Sequence, residues 1–182
     1  MSVVVDPLYG PELAAAGAAL RAEWRTDEEE WTRAAFERWQ HDQTLFDVAR
    51  DCMHRGDTVV MLSCRRSFEG VVSSVGEDVV RLTTVDGPVV VHLGADAPLA
   101  LRVAARATAG GARGDRERLT LRAVLLDHET SGAAVELGVA TAEYALTGVL
   151  RVGRDQVALR SSEGVETYIP TRWVAWVRRP RS

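Results

Sequence analysis

Lysine is absent from this sequence, and all 22 of its basic residues are arginine. Together with the abundance of alanine, valine and glycine, this composition indicates a GC-rich coding bias. The missing lysine also excludes a phosphate-binding P-loop, because the Gly-rich stretch at 110–114 is followed by no Lys-Ser or Lys-Thr pair. We therefore predict that residues 108–118 form a flexible linker.

Cysteine and long apolar runs are also scarce. Two cysteines, Cys52 and Cys64, are too few for a disulfide framework and are typical of a reducing compartment. No apolar run approaches the roughly 20 residues that a membrane-spanning helix needs. The opening MSVVVDPLYG lacks the basic and apolar regions of a secretory signal. We expect a cytoplasmic protein.

The side chains that usually carry catalysis or bind metals form no pattern. The Gly-x-Ser-x-Gly motif of serine hydrolases does not occur. Cys52, His54 and Cys64 match no standard zinc spacing, and Cys52 falls on the apolar face of a predicted helix. The four histidines are scattered: His41, His54, His92 and His128. The sequence therefore predicts no enzymatic activity, no metal site and no cofactor.

Charge is distributed unevenly along the chain. The net charge is −4, and the stretch up to Gly56 carries eleven acidic and six basic residues. The remainder is nearly neutral, with an arginine-rich segment near 113–118 and an arginine-rich end. If the protein binds nucleic acid, we expect the contacts in those two places. The candidate residues are Arg113, Arg116, Arg118, Arg178, Arg179 and Arg181.

The N-terminal third is predicted to be helical. Residues 1–25 are predicted to form an extended arm and a weak Ala-rich helix, and residues 26–56 a helical pair. Two capping boxes mark the starts of this pair, at Thr26 with Glu29 and at Thr44 with Asp47. Gly56 stands where a helix C-cap glycine belongs.

After Gly56 the apolar period changes from helical spacing to alternation, which predicts five short strands. A third helix over 119–131 is followed by five more. Asp86-Gly87 is the strongest hairpin signal between them. The predicted strands are 58–63, 68–75, 78–85, 89–93, 99–105, 134–139, 144–152, 156–161, 165–169 and 173–177.

The helix and five strands therefore occur twice. FEGVVSSVGEDVVRL, at residues 68–82, is echoed by LTGVLRVGRDQVAL at 146–159. Corresponding residues recur at offsets of 76 to 78, and the small drift is what a loop insertion and a deletion would produce. Internal duplication is the favoured explanation, with coincidental alternation as the alternative.

Each repeated unit resembles the Sm-like and SH3-like small barrels. The resemblance depends on Phe68-Glu69-Gly70-Val71 and Leu146-Thr147-Gly148-Val149, and on the strand, turn and strand from Tyr168 to Val177. It implies an α+β, mainly β fold with two five-stranded barrels, 57–107 and 132–182, each preceded by a helix. Four glycines are predicted to shape the strands and turns: Gly70, Gly87, Gly148 and Gly164. The residues that form uridine pockets in Sm-like proteins are missing, so the resemblance does not imply RNA binding.

The whole pattern is also similar to an uncharacterised group of actinobacterial proteins with an N-terminal helical extension. The similarity lies in Ala22–Arg25, in Met53–Asp57 and in the Val-Ala-Trp-Val at 174–177.

Two functions of different class remain open. The first is a non-enzymatic binding or scaffold protein that acts through tandem small barrels, with a protein partner or self-association, and with no membrane or small-molecule substrate. Its candidate interface residues are Trp24, Trp31, Trp39 and Trp176, because tryptophan is enriched at interfaces. The alternative is an RNA- or ribosome-associated regulatory protein that uses the arginine-rich loops and tail, with Tyr144 or Tyr168 for stacking.

Overall fold

The computed structural model describes residues 11–108, 110–111 and 119–180. These residues form three α-helices and ten β-strands, and all strand pairings are antiparallel. The predicted α+β, mainly β class is confirmed. The chain divides into two units, Met1–Gln43 and Thr44–Ser182. The predicted arm before residue 11 lies outside the described residues.

The described part of the first unit is one helix, α1, which runs from Pro11 to Asp42. The prediction that a new helix starts at Thr26 is wrong. The Thr26 hydroxyl donates to the carbonyl oxygen of Ala22 at 3.0 Å, as a threonine inside a helix does. The Ala-rich segment that precedes Thr26 has high helix propensity, so the helix continues through Thr26 without a break. Ser/Thr-x-x-Glu marks a helix start only where the preceding residues leave the helix.

Two shorter helices open the second unit and divide its strands, α2 over Leu45–Arg55 and α3 over Leu121–Ser131. The capping box at Thr44 and Asp47 is confirmed, since each side chain accepts a hydrogen bond from the other residue's backbone N–H. Both helices end at a left-handed glycine, Gly56 with φ 76° and Gly132 with φ 63°.

The ten strands form one sheet in the order β5-β1-β2-β3-β4-β10-β6-β7-β8-β9. The bounds of β1 and β5 are those predicted, and the other bounds differ by one or two residues. The strands are β1 Thr58–Ser63, β2 Arg66–Val75, β3 Val79–Thr84, β4 Gly87–His92, β5 Leu99–Ala105, β6 Val135–Val139, β7 Leu146–Val152, β8 Gln156–Arg160, β9 Glu166–Pro170 and β10 Val174–Arg178.

The two sets of five strands are joined into one sheet that is not closed. We call α2 with β1–β5 the first half, and α3 with β6–β10 the second half. Strand β10 pairs with β6 of its own half and with β4 of the other. Alternation in the sequence identifies which face of a strand is buried, but it does not show which strand lies alongside, so this junction could not be predicted.

Each half repeats the same internal strand order: fifth, first, second, third, fourth. The pairings also correspond. Gly70 of β2 lies opposite Val59 of β1, and Gly148 of β7 lies opposite Val135 of β6. The two halves therefore share a strand order and the pairing of this glycine.

The apolar core has two parts that exchange residues across the junction. The core of the first half includes Ala175 and Trp176 from β10. The core of the second half includes Val79 and Val90 from the first half. Neither half completes its core alone.

Candidate interaction surfaces

Helix α1 presents an aromatic surface to solvent. At about 100° per residue, Leu20, Trp24 and Trp31 lie within roughly 40° of one another on the helix, with Trp39 to one side. Trp24 is 72% exposed, Trp31 76% and Trp39 50%. We call the surface formed by Leu20, Trp24, Trp31 and Trp39 the aromatic face. Phe36, which sequence reasoning did not single out, lies 5.6 Å from Trp39, ring to ring, and is 54% exposed.

This surface is strongly acidic at its edges. Helix α1 contains eight acidic residues and four arginines, and residues 27–30 are acidic in succession. Several polar side chains bond within the helix: Arg25 donates to the carbonyl of Arg21, and Thr32 to that of Glu28. The tryptophans are thus solvent-exposed, and Asp27, Glu30 and Arg38 lie beside Trp31.

Trp176 lies elsewhere, because the structure buries it to 1% exposure in the core of the first half. Its ring contacts that of Phe68 edge to face, with centroids 5.0 Å apart. This placement removes Trp176 from the predicted interface. Trp173, three residues earlier, is half-buried in a 3-10 turn.

The four glycines predicted to be structural occupy matching positions in pairs. A Cβ on Gly70 would lie 2.3 Å from the carbonyl oxygen of Thr83, and one on Gly148 would lie 2.3 Å from that of Arg160. Gly87 is the first residue of β4 and Gly164 lies between β8 and β9, with φ of 101° and 82°. Only glycine adopts these turn conformations readily.

The two outer strands of the sheet offer a second kind of surface. Within the described part of the chain, β5 pairs only with β1 and β9 only with β8. A cleft of about 360 Å³ runs beside β5, lined by Leu62, Pro98, Ala100 and neighbouring residues. Tyr168 on β9 is 61% exposed. Sequence reasoning missed this surface, because edge position depends on the sheet order.

The predicted nucleic-acid contacts are only partly described. Arg113, Arg116, Arg118 and Arg181 lie outside the described residues. Arg178 is buried: its Nε donates to Glu136 Oε2 at 2.7 Å, and its guanidinium lies over the rings of Phe68 and Trp176. Its predicted role as a phosphate contact does not fit this environment. Arg179 is exposed.

The part of the predicted linker that the structure describes is anchored at one point. The Gly111 N–H donates to the carbonyl oxygen of His54 at 2.9 Å. A Cβ on Gly111 would lie 2.2 Å from the carbonyl oxygen of Met53. Residues 109 and 112–118 lie outside the described residues.

The described residues contain no group of three or more His, Cys, Asp or Glu placed to hold a metal ion. Both cysteines are free thiols, and burial raises the pKa of Cys52, which makes this thiol a poor nucleophile. Burial also lowers the pKa of His128 and favours its neutral form. In the part of the chain that the structure describes, no helix combines the length and apolar character needed to cross a membrane.

No protein-family model, curated protein or solved structure matches the chain.

Proposed function

We propose that this protein is a non-enzymatic scaffold that binds another protein through the aromatic face of α1. The observation that carries the proposal is the exposure of Trp24 and Trp31, each more than 70% accessible on one side of a 32-residue helix. Covering such a side chain would contribute on the order of 3 kcal/mol at about 25 cal/mol per Å² of apolar surface.

The chemistry of α1 favours one kind of partner. An aromatic stripe on a helix fits an apolar groove, and the acidic residues at 27–30 favour a groove bordered by arginine or lysine. Tryptophan is among the residues that contribute most to such interfaces. The partner is therefore a protein with a basic-rimmed hydrophobic groove.

The remainder of the chain acts as the platform. We infer that each half is a five-stranded, strongly bent sheet of the Sm-like or SH3-like kind. The shared strand order and the paired glycines Gly70 and Gly148 support this inference. Small barrels of this kind present loops and edges for binding and need no catalytic residues.

The nucleic-acid alternative has less support. Exposed tyrosines, Tyr144 and Tyr168, are suited to stacking on bases. However, Arg178 is buried against Glu136, and the chain has a net charge of −4.

The test is capture of partners by the full chain purified from its host under gentle conditions. We expect one protein at stoichiometric amounts, reduced at least tenfold when Trp24→Ser and Trp31→Ser are combined. Leu126→Ser, on the exposed side of α3, is the matched control and should keep the partner. Retention of the partner by the double variant would contradict the proposal, as would co-purifying nucleic acid that is lost at high salt.

A further inference from the structure

The junction between the two halves is an edge-to-edge strand pairing. The fourth strand of the first half, β4, lies antiparallel to the fifth strand of the second half, β10. All six paired residues are buried, and five of them belong to one or other of the two cores. The pairs are Val91 with Trp176, Val90 with Val177, and Val89 with Arg178.

The two outer strands of the sheet are the other fourth and fifth strands. Strand β5 corresponds to β10, because Leu101 pairs with Met61 as Val177 pairs with Leu137. Strand β9 corresponds to β4 in the same way: Thr167 pairs with Leu159 as Val89 pairs with Leu82. The sheet is therefore bounded by a fifth strand on one side and a fourth strand on the other. These are the same two kinds of strand that pair at its internal junction.

Strand β5 has few of the features that usually protect an edge: Arg102 is its one charged residue, and the register shift in its pairing with β1 lies at the Thr58 end. Its sequence, LALRVAA, contains no proline, acidic residue or lysine, and it is seven residues long. Val103 is 37% exposed, and Leu62 on the adjacent strand is 45% exposed. Such an edge is a template for another strand.

We propose that β9 of one copy of this chain pairs antiparallel with β5 of the next copy, by the same geometry as the internal junction. Transferring the internal register to the outer edges places Ala100 opposite Ile169, Leu101 opposite Tyr168, and Arg102 opposite Thr167. This proposal depends on no feature of α1 and is independent of the proposed function.

The faces of the two strands agree with this register. In the internal junction, Val177 belongs to its own half's core, and Val90 crosses into that core. Leu101, which corresponds to Val177, packs against the core of the first half. In the proposed pairing, Tyr168 of the neighbouring copy corresponds to Val90 and lies against that same core. Tyr168, now 61% exposed, would then be covered beside an aliphatic residue, a favourable cross-strand pair.

The pairing is heterologous, since one edge of each copy meets the opposite edge of the next. Repetition of one such contact produces a closed ring or an open chain, according to the rotation at each step. In a closed ring every copy uses both edges once, and in an open chain every copy except the two at the ends does so.

The test uses two variants that each block one edge. Ala100→Glu with Val103→Glu blocks β5, and Thr167→Glu with Tyr168→Glu blocks β9; all four residues are exposed. Light scattering after size-exclusion chromatography should show wild-type protein at multiples of 19.9 kDa and each variant alone as a monomer. An equimolar mixture should form a heterodimer, because the mixture supplies one intact β5 and one intact β9.

The control is Thr83→Glu with Val149→Glu, which adds the same charge to exposed positions on inner strands and should assemble like wild type. Circular dichroism and urea midpoints establish that the variants fold. A monomeric wild type, self-association by either blocked variant, or a mixture that stays monomeric would overturn the proposal.

Hydrogen exchange on the wild-type protein is a measurement that needs no variant. Protection of β5 and β9 amides should rise with protein concentration, while that of β2 and β3 stays constant. Concentration-independent exchange at both edges would overturn the proposal. The Trp24→Ser and Trp31→Ser variant should assemble normally, so failure of α1 binding and failure of edge pairing are distinguishable.

Discussion

Gly70 and Gly148, one in each half of the sheet, both lie directly against a backbone carbonyl of the adjacent strand. A Cβ at either position would lie 2.3 Å from a carbonyl oxygen of the adjacent strand. Because backbone atoms cannot move aside as a flexible side chain does, the two strands would have to separate. The two halves thus share a steric requirement as well as a strand order.

Alanine at either glycine should destabilise the protein. We expect Gly70→Ala and Gly148→Ala each to cost about 1–3 kcal/mol, the usual range for overpacking in a tight site. Urea unfolding at constant pH measures the loss. Gly110→Ala is the control, because nothing lies within 4 Å of the Cβ it would add. Equal stability of all three variants would show that the strands are not in close contact.

Loss of Glu136 should be costly, because it leaves the buried charge of Arg178 without its carboxylate. The two side chains are 12% and 9% exposed and 2.7 Å apart. We expect Glu136→Ala to lower the free energy of unfolding by about 3–5 kcal/mol. The comparison is Glu143→Ala, which removes an exposed ion pair with Arg65 and should cost at most about 1 kcal/mol. Similar losses in both variants would contradict the assignment.

Asp57 should make stability fall in acid. The hydrogen bond from Arg55 lowers the pKa of this carboxyl group, and the Ala107 N–H bond lowers it further. A pKa that is lower in the folded state means that stability is present above the ordinary value of 3.8 and is lost as the pH falls through the folded pKa.

The measurement is the difference in unfolding free energy between wild type and Asp57→Asn, followed over acid pH. At neutral pH we expect wild type to be more stable by about 1–3 kcal/mol. The difference should shrink below the ordinary carboxyl pKa. A difference that does not change with pH would mean that ionisation of Asp57 is not involved.

The turn between β1 and β2 should accept a stabilising change. Cys64 and Arg65 have positive φ, 47° and 59°, which is a costly conformation for both side chains. Two-residue hairpin turns of this type prefer Asn-Gly. We expect Cys64→Asn with Arg65→Gly to raise the free energy of unfolding by about 1 kcal/mol, as measured by thermal and urea unfolding. A loss of stability would show that the present side chains make contacts worth more than the strain.

Short-range features of the fold could be predicted from the sequence. The cap at Thr44, the end of α2 at Gly56 and the alternation of the strands depend on residues a few positions apart, and the structure confirms them. Thr26 shows where short-range reasoning fails, because a capping pattern has the same spacing inside a continuous helix.

Long-range features could not be predicted. The pairing of β10 with β4 brings together residues far apart in the sequence, and alternation alone is compatible with two separate barrels. The aromatic face of α1 could be predicted, because the spacing of Trp24 and Trp31 places both on one side of the helix, where the structure shows them exposed. The outer position of β5 and β9 could not be predicted, because it depends on the order of all ten strands.

The placement of β10 also bears on how the protein folds during synthesis. His92 on β4 bonds through Nδ1 to the carbonyl oxygen of Val174, 82 residues later, and Trp176 supplies a central ring to the earlier core. Strand β10 must therefore emerge from the ribosome before the core of the first half can form completely. Because contacts so distant along the chain close slowly, we expect a nascent chain stopped before residue 174 to be captured by chaperones.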